Sequence, residues 1–295
     1  MNGILNILKP PGMTSFDVVS YLRKVSGIKK IGHAGTLDPG AAGVLPVCIG
    51  SATKAIEYMM DKDKLYRAEL TLGIETDTQD SSGNILCEKA VKVTEEEIID
   101  CINSFIGETE QVPPMYSAVK VGGKKLYDLA RKGISVERKP RKVKIYSIEI
   151  ARIRDGKVLF DVACSKGTYI RTLCADIGQK LGCGGHMSFL VRKKAGIFDI
   201  QTALTLEEIE YCAQNNLLES KLISTDSVFD SCRAVTLDSN DLKKLRNGAF
   251  VSIEDSNILK GETVKIYNNN GCFIAIAEVL VRGGQLMLKQ KKVFC

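Results

Sequence analysis

The chain has 295 residues, of which 44% are hydrophobic and 26% charged, so it is long enough for two domains with substantial cores. With 7 prolines and no long block of like charge, its composition excludes extensive disorder. It holds no run of about 20 apolar residues, and its start, MNGILNILKPPG, lacks a basic region and a cleavage site, so we expect a cytoplasmic protein with neither a membrane span nor a secretory signal.

Helix-start signals occur at three places along the chain. Thr14–Asp17 has a capping-box pattern and leads into an amphipathic helix over residues 15–26, with Gly27 after it. Thr94 opens a second helix, which Gly107 follows, and Thr205 opens a third. Between these helices, alternating apolar residues predict strands at residues 68–72, 143–153 and 158–162. Without strict β-α-β alternation, this order favours an α+β fold with a mixed or antiparallel sheet.

The pattern changes near residue 231, where a smaller β-rich region begins. A short helix is predicted over residues 238–246, followed by strands near residues 263–267, 272–280 and 285–294. We therefore predict one domain over residues 1–230 and a second over residues 231–295.

The ten cysteines form no CxxC pair, which predicts reduced thiols, mostly small core residues. Cys183-Gly-Gly-His186 is the one spacing typical of a metal site, but a zinc site needs more ligands, and His33 is the only other histidine. We therefore expect no metal, and a histidine-based catalytic triad is disfavoured.

The positive charge is concentrated in one window. Lys and Arg number 41 against 35 Asp and Glu, a balance of +6, whereas residues 120–144 alone carry ten basic residues against Asp128 and Glu137, a balance of +8. A solvated face is the ordinary explanation of a charge run, but this concentration favours contact with a polyanion, whether RNA, DNA or anionic lipid. The clusters at residues 192–194 and 289–292 are candidates to extend the surface.

The segment GHAGTLDPGAAG, residues 32–43, is the most unusual part of the chain. Its glycines permit close backbone approach, and Pro39 favours an extended conformation at Asp38. This arrangement could present a carboxylate to a ligand, although an ordinary Asp-Pro turn explains the spacing equally well. The pattern is neither GxGxxG nor a P-loop, so a nucleotide cofactor has little support.

Ordered sequence blocks between residue 3 and about residue 200 resemble the TruB-type tRNA pseudouridine synthases. The blocks are LNILKPPGMTS, GHAGTLDPGAAGVLPVCIGSATK, Tyr66 followed by LTLGIETDTQD, PPMYSAVKVGGKKLYDLARKG, SKGTYIRTLCADIG and GHMSFLVRKKAGIF. The tail more weakly resembles the PUA-type RNA-binding domain that often ends such chains. The resemblance implies a pseudouridine synthase fold with a mixed, mainly antiparallel sheet, plus a small β-rich PUA-like C-terminal domain.

The resemblance also implies an activity: isomerisation of the uridine at position 55 in the T loop of tRNA. The reaction breaks the N1–C1′ bond and joins C5 to C1′ without redox change or energy input, so no cofactor is expected. The enzyme must first flip the uridine out of its stack. The implied partner is the T arm of tRNA; no membrane and no obligate protein partner are expected, and the enzyme is expected to be a monomer.

Site residues follow from the motifs that match the family. Asp38 takes the role of the catalytic carboxylate, Arg171 that of its charge partner, and Tyr66 and Tyr169 those of the active-site tyrosines. His33 matches the residue inserted into the vacated stack, and Leu190 a wall of the base pocket. Asp80 falls at a polar position of the family and Lys9 in its KPxG block; both are assigned to substrate binding, with a structural role as the alternative for Lys9.

The basic window matches an insertion, around residues 114–144, that folds over the RNA in the family. The residues assigned there to substrate binding are Lys120, Arg138, Lys139, Arg141 and Lys142. Two alternatives stay open: a non-catalytic RNA-binding or tRNA-folding protein, and a guide-RNA-dependent pseudouridine synthase of a ribonucleoprotein. The complete set of Asp38, Tyr66, Tyr169 and Arg171 disfavours the first, and the lack of terminal extensions disfavours the second.

Overall fold

The computed structural model describes residues 1–117, 119–255 and 257–295, which form helices and strands in alternating groups. The helices are α1 (Ser15–Ser26), α2 (Ile56–Met60), α3 (Glu95–Asn103), α4 (Leu126–Ala130), α5 (Ile170–Lys180), α6 (Leu206–Gln214) and α7 (Ser239–Arg246). The strands are β1 (Gly3–Lys9), β2 (Ile31–His33), β3 (Ala42–Ile49), β4 (Lys64–Leu72), β5 (Ile74–Thr76), β6 (Ile85–Glu88), β7 (Gly107–Gln111), β8 (Lys120–Val121), β9 (Lys124–Lys125), β10 (Arg141–Arg154), β11 (Lys157–Cys164), β12 (Gly185–Ala195), β13 (Phe198–Asp199), β14 (Ala234–Leu237), β15 (Val251–Ile253), β16 (Thr263–Asn268), β17 (Phe273–Arg282) and β18 (Gln285–Val293).

A large mixed sheet runs in the order β1-β3-β12-β4-β11-β10-β7, with β2 beside β3 and β13 beside β12. Its described neighbours pair antiparallel except at β3 and β12, where Ala42 lies opposite Val191 and Gly43 opposite Arg192. At Gly43, φ is +114°, and an added Cβ would lie 2.3 Å from the Arg192 carbonyl oxygen, so this junction requires glycine. The expected mixed, mainly antiparallel sheet is confirmed.

Two groups of helices cover the large sheet. Helices α3 and α5 pack on β4, β10, β11 and β12 through a buried cluster that includes Ile102, Phe160 and Leu173. Helices α1 and α6 pack on β1, β2 and β3 through a second buried cluster that includes Leu22 and Ile209. The Asp38 loop lies between β2 and β3 and approaches the first cluster.

The predicted helix starts are confirmed. Thr14, Thr94 and Thr205 each cap a helix, and each accepts a hydrogen bond from the backbone N–H of the acidic residue three positions later. Gly27 ends α1 in the left-handed conformation, with φ of 69°. Helix α3 ends at Asn103, and Gly107, which follows it as expected, begins β7.

A second sheet contains β14-β16-β17-β18-β15, and α7 packs on it around Leu245 and Val264. Its strands confirm the predicted β-rich C-terminal domain. An aromatic cluster joins this domain to the large sheet: the ring centroid of Phe229 lies 5.1 Å from Tyr58, 6.0 Å from Phe273 and 5.7 Å from Phe294. The two sheets therefore share a buried apolar contact.

The basic window is divided between an insertion and the large sheet. Between β7 and β10, the described residues form the short hairpin β8–β9 and helix α4. Strand β10 begins at Arg141, so Arg141 and Lys142 belong to the sheet, opposite Gln111 and Glu110 of β7. None of the helices formed by the described residues is long and apolar enough to cross a membrane.

Candidate active site

The loop that carries Asp38 rests on the segment that connects β1 to α1. The backbone N–H of Gly12 donates to the Pro39 carbonyl at 2.8 Å. The buried hydroxyl of Ser15 accepts from the Leu37 N–H at 2.9 Å and donates to the Leu37 carbonyl at 3.2 Å. Hydrogen bonds on both sides of Asp38 therefore fix its backbone, which explains why the KPPGMTS block belongs to the site.

Lys9 lies beneath this loop and is fully buried. Its Nζ donates to the carbonyls of Ala41 at 2.7 Å, Pro10 at 2.9 Å and Pro39 at 3.3 Å. Desolvation lowers the pKa of Lys9 to about 8, although the negative charge of Asp38 opposes this shift. Its contacts are those of a residue that supports the loop.

Arg171 lies in the first turn of α5 and connects several parts of the site. Its Nε lies 3.0 Å from Asp38 Oδ2, and its Nη1 lies 3.6 Å from Asp80 Oδ2. The same guanidinium donates to the carbonyls of Thr78 at 3.3 Å and Tyr116 at 2.7 Å. One buried guanidinium therefore links two carboxylates, the loop after β5 and the start of the insertion. This planar arrangement of donors is specific to arginine.

Asp80 is held in a polar turn as well as by Arg171. Its Oδ1 accepts from the Thr78 hydroxyl at 2.7 Å and from the Ser82 N–H at 2.9 Å. The preceding Gln79 has φ of 63°, and its carbonyl accepts from the Met187 N–H at 3.0 Å. This contact ties the turn to β12 and holds the second carboxylate in place.

Asp38 combines partial exposure with a strong charge partner. Its side chain is 39% exposed, whereas that of Arg171 is 6% exposed. Burial raises the pKa of Asp38, Arg171 opposes this, Asp80 raises the pKa further, and Lys9 lowers it. An ionised carboxylate that is oriented on one side and open to solvent on the other can act as a nucleophile or a base.

Tyr66 and Leu190 lie on the neighbouring strands β4 and β12. Leu190 is buried opposite Ala68, and Tyr66 packs against the same cluster as Leu37 and Leu190. Burial raises the pKa of the Tyr66 hydroxyl, and the positive charge of Arg192 opposes this shift. The structure thus brings an apolar wall and a tyrosine to the cluster that also includes Leu37, the neighbour of Asp38.

His33 ends β2, directly before the Asp38 loop. Desolvation lowers the pKa of His33, as does the charge of Arg192, and its ring is therefore neutral near pH 7. A neutral, planar ring at this position suits contact with a nucleobase.

Tyr169 directly precedes α5 and is anchored through its backbone. The buried side chain of Gln111, on β7, accepts from the Tyr169 N–H at 3.0 Å and donates to its carbonyl at 3.3 Å. This pair fixes the start of α5 and hence the position of Arg171.

Four of the five residues of the basic window that were predicted to bind the substrate are exposed: Lys120, Lys139, Arg141 and Lys142. Arg138 is half-buried and donates to the Pro113 carbonyl at 3.1 Å, which ties together the two ends of the insertion. The suggestion that residues 192–194 extend a basic surface is wrong for Arg192, which is 1% exposed because its guanidinium turns inward.

The site also contains positioning residues that sequence reasoning missed: Ser15, Gln79, Gln111 and Arg192. Gln111 has no local signal, because its partner Tyr169 lies 58 residues away. Arg192 has no local signal either, because the carbonyl groups it contacts lie 148 to 157 residues away.

Comparison with known proteins gives consistent matches over the whole chain. The family described as "TruB family pseudouridylate synthase (N terminal domain)" matches residues 23–170, and "tRNA pseudouridylate synthase B C-terminal domain" matches residues 171–238. The chain is 62% identical to the tRNA pseudouridine synthase B of Alkaliphilus oremlandii over 71% of this chain and 70% of that protein. It is 47% identical to the protein of the same name from Clostridioides difficile, over 100% of both chains.

Solved structures also resemble the chain. A chain in the crystal structure of a Cbf5-Nop10-Gar1 complex superposes with a TM-score of 0.76 at 28% identity, covering 99% of this chain and 85% of that chain. A chain of an H/ACA RNP bound to a substrate RNA containing 2′-deoxyuridine gives a TM-score of 0.74 at 26% identity, covering 99% of this chain and 85% of that chain.

Proposed function

The chain belongs to the TruB family of pseudouridylate synthases, and from this premise we propose that it converts the uridine at position 55 in the tRNA T loop to pseudouridine, with Asp38 as the catalytic carboxylate. The isomerisation of uridine in tRNA rests on the family and on the curated relatives. The T-loop position and the residue roles are our proposals.

The observation that carries the role of Asp38 is its ion pair with Arg171. A carboxylate that is 39% exposed is accessible to a ligand, while the buried guanidinium at 3.0 Å fixes its orientation. This geometry supports both routes open to a carboxylate here: bonding to C1′ of the ribose when the N1–C1′ bond breaks, or acting as the base of a glycal route.

The remaining steps are assigned to residues around Asp38. Leu190 and Tyr66 border the uracil while it turns, and Tyr66 assists removal of the C5 proton after C5 joins C1′. N1 gains a proton, so the product is an isomer of the substrate. Tyr169 supports the Asp38–Arg171 pair from the start of α5, and His33 fills the position left by the flipped uridine.

The contact with tRNA is assigned mainly to the insertion and the adjacent start of β10. Lys120, Lys139, Arg141 and Lys142 are exposed and can contact phosphates. Arg138 joins the two ends of the insertion through the Pro113 carbonyl. Lys9 supports the Asp38 loop from within the fold. We further propose a PUA-like RNA-binding role for residues 231–295 beside a catalytic domain of residues 1–230.

We propose a cytoplasmic monomer that needs no guide RNA or protein partner. Identity supports this choice: 47% to tRNA pseudouridine synthase B from Clostridioides difficile, against 28% to the chain of the Cbf5-Nop10-Gar1 complex.

The test is incubation of the purified protein with one unmodified tRNA transcript, followed by mapping of pseudouridine at nucleotide resolution. We expect modification at the T-loop uridine, without added guide RNA, and also in an isolated T-arm hairpin. A transcript with cytidine at that position is the matched control. Modification elsewhere would overturn the T-loop assignment, and binding without modification would favour the RNA-binding alternative.

A further inference from the structure

Arg192 is among the largest fully buried side chains of the protein, yet none of the described carboxylates forms an ion pair with it. Burying a charge is costly unless hydrogen bonds compensate it. Here the compensation comes from carbonyl groups. Nε donates to Val44 at 2.7 Å, Nη2 to Gly35 at 3.1 Å and Nη1 to Thr36 at 3.5 Å.

These carbonyls belong to the Asp38 loop and to the strand that follows it. Gly35 and Thr36 precede Asp38 by three and two residues, and Val44 lies on β3 just after the loop. Lys9 holds the same loop at Pro39 and Ala41. The two buried cations therefore fix the loop on both sides of the carboxylate.

Arg192 also lies at the junction between the two parts of the large sheet. In the parallel pairing of β12 with β3 it faces Gly43, and in the antiparallel pairing of β12 with β4 it faces Tyr66. Directly opposite residues of an antiparallel pair point to the same face of a sheet. The side chains of Arg192 and Tyr66 thus lie on the same face of the sheet, where the guanidinium of Arg192 also contacts the loop of Asp38.

We propose that Arg192 is a positioning residue for uridine isomerisation: it sets the Asp38 loop in register with the strand of Tyr66, so that carboxylate and tyrosine face the same nucleotide. This inference rests on the proposed function and adds a residue to it. Its basis is geometric, namely three carbonyl contacts across a sheet junction.

The test replaces Arg192 in two ways. Arg192→Lys keeps the charge but loses the planar donors that reach three carbonyls, and Arg192→Met removes the buried charge while retaining much of the volume. Arg67→Lys and Arg67→Met are matched controls, because Arg67 neighbours Tyr66 on β4 but is 41% exposed and pairs with Asp161. Each variant is assayed at a temperature where its thermal unfolding curve shows it folded.

We expect both Arg192 variants to lower the single-turnover rate at saturating tRNA by about 10- to 100-fold, as misplacement of a reacting group does. The tRNA affinity should stay within about threefold, since phosphate contacts dominate it. The Arg67 variants should react like wild type. Wild-type rates in either Arg192 variant, or an equal loss of rate and affinity, would overturn the proposal.

Amide hydrogen exchange provides a readout that does not depend on activity. The N–H groups of Ala34, Leu37 and Ala41 donate to the Pro46 carbonyl, the Ser15 hydroxyl and the Asp38 carbonyl, respectively. We expect them to exchange faster in Arg192→Lys, while the amides of α5 keep their protection. Unchanged exchange in Arg192→Lys would contradict the inference about Arg192. The absence of pseudouridine formation by the wild-type protein would refute the proposed function instead, and the exchange result could still be interpreted.

Discussion

The guanidinium of Arg171 holds four groups of the site in place: the carboxylates of Asp38 and Asp80 and the carbonyls of Thr78 and Tyr116. Two carboxylates share one positive charge, so neither is fully neutralised by it. Asp38 keeps a raised pKa, for which burial is the main cause and the charge of Asp80 a further one. A carboxylate in this condition is more basic than one with an arginine of its own.

Arg171→Lys should lower the single-turnover rate at saturating tRNA by at least ~10-fold, which corresponds to ~1.4 kcal/mol of barrier. Lysine keeps the charge but cannot reach all four partners in one plane. Arg154→Lys is a suitable control, since Arg154 is exposed and pairs with the neighbouring Asp155. Equal rates for wild type and Arg171→Lys would remove Arg171 from its assigned role.

Asp80→Asn should shift the acid limb of the pH–rate profile to lower pH. The reaction needs ionised Asp38, so the rate falls as the pH drops through the raised pKa of that residue. Removing the negative charge of Asp80 lowers this pKa, and activity then persists further into acid. Asp77→Asn, in the same loop but bonded to Asn84, should leave the limb in place. If the acid limb of Asp80→Asn lies at the same pH as that of wild type, or at a higher pH, the charges of Asp80 and Asp38 are not coupled.

Local sequence signals predicted where several helices begin, but they did not predict the buried side chains that hold distant segments together. The starts of α1, α3 and α6 follow from threonine caps that act within three residues. Tyr169 precedes the first turn of helix α5, and its side chain does not cap the helix. Gln111 of β7 holds this end of the helix instead. Contacts between distant segments leave no local pattern, which is why motif matching could name Arg171 but not Gln111 or the inward-turned Arg192.

Helix α5 carries an acid whose ionisation opposes folding. Desolvation raises the pKa of Asp176 to about 6. The native state then holds a proton that the unfolded state releases, so this residue costs stability as the pH rises from about 4 to about 6, and the cost stays constant at higher pH.

Asp176→Asn should therefore stabilise the protein at pH 8 by about 1 to 3 kcal/mol, with a smaller gain at pH 5. Urea unfolding at both pH values measures the difference. Asp100→Asn, an exposed substitution on α3, is the control and should change little at either pH. A gain of the same size at both pH values would show that ionisation of Asp176 is not the cause.

Strand β10 allows a matched test of the basic surface, because both of its ends carry arginine. Arg141 and Lys142 lie beside the insertion, whereas Arg152 and Arg154 lie near the far end of the strand, roughly 35 Å away. If the first pair contacts phosphates, neutralising both residues should reduce the slope of log K against log salt by about 1.4, at about 0.7 for each contact.

The second pair should leave that slope nearly unchanged. Both double variants change residues of the same strand and lose two positive charges. A difference between their salt slopes therefore depends only on where the charges lie on β10. Equal slopes for the two variants would assign the window to an ordinary solvated face and direct the search for the RNA surface to the C-terminal domain.

In the whole molecule, the candidate site lies at the large sheet, and we propose a separate RNA-binding role for the second sheet. The large sheet carries Tyr66 and Leu190 on neighbouring strands, and the loop between its strands β2 and β3 carries Asp38. The aromatic cluster at Phe229 fixes the second sheet to the large one. The change of sequence pattern near residue 231 predicted the β-rich C-terminal region that contains the second sheet. It could not predict the aromatic contact, because Tyr58, Phe229 and Phe294 are far apart along the chain.

Catalysis through the Asp38 carboxylate is tested by one pair of measurements on the same variant. Wild type and Asp38→Asn are compared in single-turnover pseudouridine formation and in tRNA filter binding. The substitution removes the charge and keeps the shape, so we predict no product above background from the variant, with tRNA affinity within about tenfold of wild type because phosphate contacts dominate binding. Pseudouridine formation by Asp38→Asn at the wild-type rate would show that the Asp38 carboxylate is not the catalytic group.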